Sequence, residues 1–245
     1  QTCALPILQG FGEYTYGRWY TVKGQRPSDE TGIYRYKFDV PKSWAGQRVK
    51  IFFDGVMTDA EIIINGKPAG ELHQGGFYRF SYDITELLNL GKKNQLEVKV
   101  AKESANRSIN AAERKADWWL FGGIYRPVWL EVLPQIHMKH FVLSADHKGK
   151  FQASIDMEGD AKGHEIVVSV RSLKDGKTVY TSNGQTTITH PINNSGKEQM
   201  ISGEWTNIVP WSTEAPNLYV VKLELKNPEG KIVQTRETRI GFRTV

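Results

Sequence analysis

The sequence predicts an all-β chain of two sandwich domains, the second immunoglobulin-like, and three observations carry that prediction. Apolar and polar residues alternate over short runs, which is the period of a half-buried strand. Gly, Asn, Asp and Pro clusters separate these runs at short intervals. No segment holds a helical period long enough for a long helix.

The first half is justified element by element. GIYRYKFDV (32–40) places Tyr34, Tyr36, Phe38 and Val40 on one face and Arg35, Lys37 and Asp39 on the other. The same pattern fits RVKIFFD (48–54), AEIII (60–64) and LEVKV (96–100). Asn65-Gly66, set between apolar runs, is a strong short hairpin signal. DITELLNLG predicts one helical turn, with Asp83 or Thr85 as cap and Gly91 as stop. The rest, as far as about residue 133, reads as strand and loop.

After Leu133-Pro134 the pattern restarts, with strand-like runs near 137–145, 149–156, 164–172, 185–190, 199–206, 218–226 and 231–240. Asp175-Gly176 and Asn227-Pro228-Glu229-Gly230 supply turns between them. About seven short strands at this spacing suggest an immunoglobulin-like sandwich without the Cys pair of antibody domains. The domain boundary falls at about residue 134.

Composition narrows the function classes. Thirty-two basic and 27 acidic residues give a net charge of +5, scattered along 245 residues with no basic run longer than two. Charge this diffuse argues against a nucleic-acid partner. No apolar stretch approaches the roughly 18–20 residues of a membrane-spanning helix, so no membrane partner is expected. The six histidines show no metal-ligand spacing with carboxylates, and no metal is expected. Residues 1–7, QTCALPI, match the translated end of a widely used sequencing-library adapter and are set aside as an assembly scar. Cys3, the sole cysteine, goes with them, leaving no disulfide framework. The natural N-terminus is then expected to be missing.

DWWLFGGIYRPVWLEV (117–132) is the stretch that could carry a site. Val128, Leu130 and Val132 share a strand face, and Gly122-Gly123 allows a close approach that side chains would block. Trp118, Trp119 and Trp129 read mainly as packing. Asp117, beside two tryptophans and a Gly-rich bend, is either a turn cap or a polar group at the rim of an aromatic pocket.

Three stretches together resemble glycoside hydrolase family 2, the family of β-galactosidases, β-glucuronidases and β-mannosidases. They are ERKADWWLFGGIYRPVWLEV, FDGVMTDAEIIINGKPAGELHQGGFYRFSYDITELL, and WSTEAPNLYVVKLEL with GFRTV. The resemblance covers nearly all of the chain from about residue 15. It implies a jelly-roll, galactose-binding-like sandwich over 8–134 and an immunoglobulin-like sandwich over 135–245. A catalytic (β/α)8 barrel would follow in the same polypeptide, and GFRTV is where the family's chain passes into it. The barrel is therefore expected to be absent here.

The resemblance also implies the chemistry. Family members are retaining hydrolases that use two barrel glutamates, which retention holds about 5–5.5 Å apart. The family's acid/base Glu follows an Asn, and no Asn-Glu dipeptide occurs in this sequence. The chain alone is expected not to hydrolyse glycosides. The family's acidic residue nine positions before the Arg of the GI-aromatic-R motif falls here on Asp117. It contacts a sugar hydroxyl of the β-linked glycoside substrate, directly or, in some β-galactosidases, through a sodium ion. Such a cation is expected near Asp117 only in the full-length enzyme, and no other cofactor is expected. A carboxylate suits the role, because it accepts hydrogen bonds from hydroxyls and orients the sugar without joining bond breaking.

Asp29 matches a position where similar β-galactosidases carry an Asn at the pocket border; its other reading is a cap of the turn before strand 32–40. Arg126, by parity with Val128, is expected to point inward beside a carboxylate and, with Gly122, Gly123 and Trp119, to support the site. In the second domain Trp211 and Tyr219 are expected to pack against the core. The DGV and GGIYRPV phrasing leans toward β-galactosidases. A homo-oligomer is left open. The competing reading is a free-standing carbohydrate-binding module, and a third is a purely structural pair of sandwiches.

Overall fold

The alternation in Arg48–Phe53 is realised as a strand: Val49, Ile51 and Phe53 are buried, while Arg48, Lys50 and Phe52 are only partly covered. In this computed structural model the described residues are 15–16, 31–113, 119–120, 122–193 and 197–244, with backbone alone for 15–16 and 119–120. The chain divides into two compact units, Gln1–Val132 and Leu133–Val245.

The first unit contains β1 (Thr15–Tyr16), β2 (Thr31–Asp39), β3 (Arg48–Phe53), β4 (Val56–Met57), β5 (Asp59–Ile64), β6 (Lys67–Pro68), β7 (Phe80–Asp83) and β8 (Lys93–Ala101). After these come the helix α1 (Arg107–Glu113), β9 (Trp119–Leu120), β10 (Gly123–Ile124) and β11 (Val128–Leu133). The two main sheets, β2-β8-β5-β6 and β11-β3-β7, form a jelly-roll sandwich, with the short pairs β10-β4 and β1-β9 beside them. Val49, Ile51, Phe53, Ile62, Ile64, Val98 and Val100 make its core, and Val128, Leu130 and Val132 pack against it from β11.

Asn65 and Gly66 both take positive φ, 51° and 80°, which gives the hairpin turn between β5 and β6 the twist its strands need. Asn65 does more than turn the chain. Its side chain accepts from Gln95 N at 2.9 Å and donates to Asn94 Oδ1 at 2.7 Å and Leu87 O at 2.8 Å, which stitches the hairpin to its neighbours. The expected helical turn is a 3-10 turn at Thr85–Leu87, where Asp83 Oδ1 accepts from Thr85 N at 3.0 Å. Two expectations fail. Tyr36 is half exposed, so the buried face of β2 is less continuous than the alternation suggests. Residues 107–113, expected as strand or loop, form α1, a short helix with no buried residue and thus no apolar stripe to announce it.

The second unit contains β12 (His137–Ala145), β13 (Lys150–Glu158), β14 (Glu165–Ser172), β15 (Thr187–Pro191), β16 (Glu198–Glu204), β17 (Tyr219–Lys226) and β18 (Ile232–Ile240). Its sheets, β12-β13-β16 and β15-β14-β17-β18, are wholly antiparallel, as in an immunoglobulin-like sandwich. Phe151, Ile155, Trp205, Val221, Leu223 and Phe242 fill the space between them. Tyr219 is buried edge-on against Phe242 at 5.2 Å. Trp211 is half-buried under Arg243, whose guanidinium lies 5.0 Å from its ring.

Candidate functional site

β5 and β8 run antiparallel with Asp59 opposite Ala101, so the residues just outside both strands meet at one end of the sheet. Thr58, Asp59, Lys102 and Ser104 are all buried there. Asp59 Oδ2 accepts from Gln74 Nε2 at 2.9 Å and from Ala105 N at 2.8 Å, which ties the 73–76 turn to the segment leading into α1. Asn110 clasps Ser104 through Oδ1 to its N–H (2.9 Å) and Nδ2 to its carbonyl (2.6 Å). Asn106 caps α1, its Oδ1 accepting from Ser108 N at 2.9 Å.

The far end of α1 is held too. Glu113 Oε2 accepts from Gly76 N at 2.8 Å, and the Tyr125 hydroxyl donates to Gly76 O. Burial pushes the Tyr125 hydroxyl pKa up; Arg126 opposes that shift and the Glu113 carboxylate adds to it. His73 stacks on Phe80 at 3.5 Å, and its Nε2 lies 2.9 Å from Gly75 O. Burial lowers the His73 pKa, against the opposing pull of the Gly75 carbonyl, Asp59 and Glu113.

The Gly122-Gly123 bend fits the close approach expected of it. Gly123 is buried with φ 91° and pairs with Met57, and a Cβ on Gly122 would lie 3.2 Å from Lys102 Cγ. Asp117, Asp29 and Trp118 lie outside the described residues, as does the side chain of Trp119, whose backbone pairs with Tyr16. The expectation that Arg126 points inward is corrected: Arg126 is exposed, with its guanidinium 5.3 Å from the Tyr125 ring. The parity argument fails because β11 begins only at Val128, and Arg126 sits on the bend before it.

Trp129 is occupied by packing. It stacks on Phe52 (4.2 Å, 4° between planes), carries the Arg79 guanidinium at 5.5 Å and donates to Asp54 Oδ1 at 3.2 Å. Asp54 also accepts from Arg79 Nε at 2.6 Å. Desolvation would raise the Asp54 pKa, but these hydrogen bonds and the charges of Arg79 and Arg126 hold it below the ordinary value. Sequence reasoning passed over Asp59, Gly76, Glu113 and Tyr125. The adjacent glycines of HQGGFYRF were the one signal available, since paired glycines mark a close backbone approach. Among the described residues no group of three or more His, Cys, Asp or Glu could hold a metal ion, and no helix is long and apolar enough to cross a membrane.

Two antiparallel sandwiches in tandem, the first with a buried polar cluster at one end of its larger sheet, define an all-β, two-sandwich class of protein. The particular family follows from sequence comparison. The family model described as "Glycosyl hydrolases family 2, sugar binding domain" matches residues 12–134, and "Glycosyl hydrolases family 2" matches 135–243. The chain belongs to glycosyl hydrolase family 2. It is 31% identical over 216 residues to a β-galactosidase of Thermoanaerobacter pseudethanolicus, a match covering 86% of this chain and 28% of that protein. A putative β-glucuronidase of Formosa agariphila is 28% identical, over 79% of this chain and 23% of that protein. Among solved structures, the Bacteroides uniformis β-glucuronidase superposes with a TM-score of 0.69 at 26% identity, over 88% of this chain and 26% of that one. The chain thus spans about a quarter of the length of the relatives it matches.

Proposed function

We propose that this chain is the N-terminal, non-catalytic portion of a retaining exo-β-glycosidase, β-galactosidase-like in its substrate. A sugar-binding-type sandwich over 8–134 presents Asp117 to an active site built by a following barrel domain, and an immunoglobulin-like sandwich over 135–245 supports it. The observation that carries this reading is the end-to-end match of both family models to a chain spanning only 28% of a β-galactosidase. Asp117 accepts a hydrogen bond from a sugar hydroxyl, and Asp29 borders the same pocket. The bend at Gly122-Gly123, with Arg126 and Trp119 beside it, supports the segment. The chain by itself turns over no glycoside, because retention needs a carboxyl pair on a rigid frame that this reading assigns to the barrel.

The test begins at the gene. An open frame running past the Val245 codon into a barrel supports the proposal, and a natural stop codon there ends it. In the full-length protein, Asp117→Ala should lower kcat/KM for p-nitrophenyl β-galactoside by roughly 100-fold, the scale set by losing substrate orientation. An unchanged rate removes Asp117 from the site. Calorimetric titration of this chain alone with galactosides should show no binding tighter than millimolar, since half a pocket lacks the enclosure small ligands need. Tight binding would instead favour a free-standing carbohydrate-binding module.

A further inference from the structure

β3, β7 and β11 each have a terminus at the same end of their sheet. Phe53 is paired with Phe80 and Asp54 N donates to Pro127 O at 3.0 Å, so Arg79, Asp54 and the bend that carries Tyr125 and Arg126 lie in a row across the three strands. Asp54 is the centre of the row. Its Oδ1 accepts from Arg79 Nε at 2.6 Å and from Trp129 Nε1 at 3.2 Å, and the charge of Arg126 also reaches it. Gly55 lets the bend close over the turn, because a Cβ there would lie 2.8 Å from Tyr125 Cζ and 2.9 Å from Arg126 Cδ. Both arginines are exposed, and both guanidiniums rest on aromatic rings. Arg79 lies 5.5 Å from Trp129, which is itself stacked on Phe52, and Arg126 lies 5.3 Å from Tyr125. Among the described residues, neither the terminal NH2 groups of Arg79 nor the Arg126 guanidinium meets an acceptor.

We propose that this rim binds acidic polysaccharide, with the Arg79 and Arg126 guanidiniums pairing with carboxylates along one uronate-bearing chain. A guanidinium is a planar fork that matches a carboxylate with parallel N–H bonds, and resting its flat face on a ring fixes the fork without occupying its edge donors. A single exposed ion pair gains little in water, so one small anion would not be retained. Two forks on one rim change that, since the second contact with the same polymer is intramolecular once the first is made. Asp54, set between them, leaves the row with a single net positive charge. That balance suits a chain whose charges are spread one per sugar. It disfavours nucleic acid, whose phosphates follow about every 1.7 Å of duplex and need a denser basic patch. The choice of a glycan rests on the reading of the chain as part of a glycosidase.

The test is affinity electrophoresis of the chain in gels containing polygalacturonate. The parent should be retarded, whereas fully methyl-esterified polygalacturonate, which keeps the sugars and loses the charges, should have no effect. Arg79→Ala and Arg126→Ala should each weaken binding about tenfold, the scale of one charge-assisted contact. Arg126→Lys should weaken it too, because the charge survives and the fork does not. Lys231→Ala removes an equal charge from an exposed turn of the second unit and should leave the affinity within about twofold. Amide exchange across Arg48–Phe53 identifies the folded variants, and Arg126→Ala decides the matter if Arg79→Ala disturbs the sheet. Equal loss in Lys231→Ala, equal retardation by the methyl ester, or no retardation of the parent overturns the proposal. So does duplex DNA bound with the same dependence on Arg79 and Arg126, which would assign the rim to polyanions at large. If the full-length protein hydrolyses no β-glycoside while the rim still binds polygalacturonate, the glycosidase reading fails and the rim stands; hydrolysis without binding at the rim means the reverse.

Discussion

In the first sandwich four of the five buried polar residues among those described, Thr58, Asp59, Lys102 and Ser104, lie together where β5 and β8 meet, with Asn94 at the other end of β8, whereas in the second His137, His164, Thr181, Gln199 and Gln234 are spread over separate elements. Two of the latter, Gln199 and Gln234, join strands of the two facing sheets. Gln234 Oε1, for instance, accepts from Met138 N at 2.7 Å and so fastens β18 to β12. In the first unit the cluster sits where β5 pairs with β8, and Asp59 there also ties the 73–76 turn to the segment that leaves the sheet and forms α1. A buried polar group without a partner is costly, and Thr58 Oγ1 and Asp59 Oδ1 find none among the described residues, so gathering several such groups at one point makes that point sensitive. The second sandwich is ordered chiefly by interdigitated apolar side chains; the first adds a polar knot that places a non-sheet segment.

The comparison is broken most forcefully from the second unit. Trp205 is fully buried and lies edge-on to Phe151 at 6.5 Å. Trp205→Ala should destabilise this unit by about 3–5 kcal/mol, the usual cost of truncating a large buried aromatic. Hydrogen exchange across Tyr219–Lys226 would accelerate, and β8 in the first unit would be unaffected. A loss under about 1 kcal/mol would show that packing is not what orders this sandwich.

A smaller and more local effect is expected at the polar knot. Asp59→Ala strips Gln74 and the Ala105 N–H of their shared acceptor and should cost about 1–3 kcal/mol, the scale of an unsatisfied buried group. Exchange should rise in 104–110 first, with Tyr219–Lys226 left alone. Uniform weakening of β2, β5 and β8 would mean that Asp59 is an ordinary member of the core and that the contrast between the units is false.

Legibility in the sequence followed the range of the interactions. The seven strands described in the second unit were readable because period-two burial is local, as in β13, where Phe151, Ala153, Ile155 and Met157 all turn inward. The Asn65-Gly66 turn was readable for the same reason. α1 was not, since a seven-residue helix with no buried face leaves no periodic trace. Arg126 was misjudged because parity was extended past the true start of β11. Asp117 drew notice from its own neighbours, the tryptophan pair and the Gly-rich bend, but its reading as a sugar contact, and any notice of Asp29 as a pocket residue, came through family resemblance. The convergence of Glu113 and Tyr125 on Gly76 was invisible: Gly76 is 37 and 49 residues away from them, and only the folded chain brings the three together.

The smallest effect sharpens the comparison through pH. Asp83 Oδ2 accepts from Arg48 Nε at 3.0 Å and Nη2 at 2.5 Å, and its Oδ1 accepts from Thr85 N and Oγ1 at 3.0 and 2.6 Å. Partial burial would raise its pKa, but these partners outweigh it and hold the carboxyl below its ordinary 3.8. A depressed folded-state value means that the unfolded chain binds the proton more readily. Its contribution is then complete above pH 3.8 and is lost as the pH falls through the depressed value. At neutral pH, Asp83→Asn should cost the first unit no more than about 1 kcal/mol, because the pair is a third exposed and solvent screens it. The gap between parent and variant should close on acidification and narrow in high salt, with Tyr219–Lys226 exchange indifferent to the substitution throughout. A gap independent of pH would assign the effect to the turn hydrogen bonds of Thr85 rather than to the charge, and would make the edge of the first sandwich as neutral in its ordering as the core of the second.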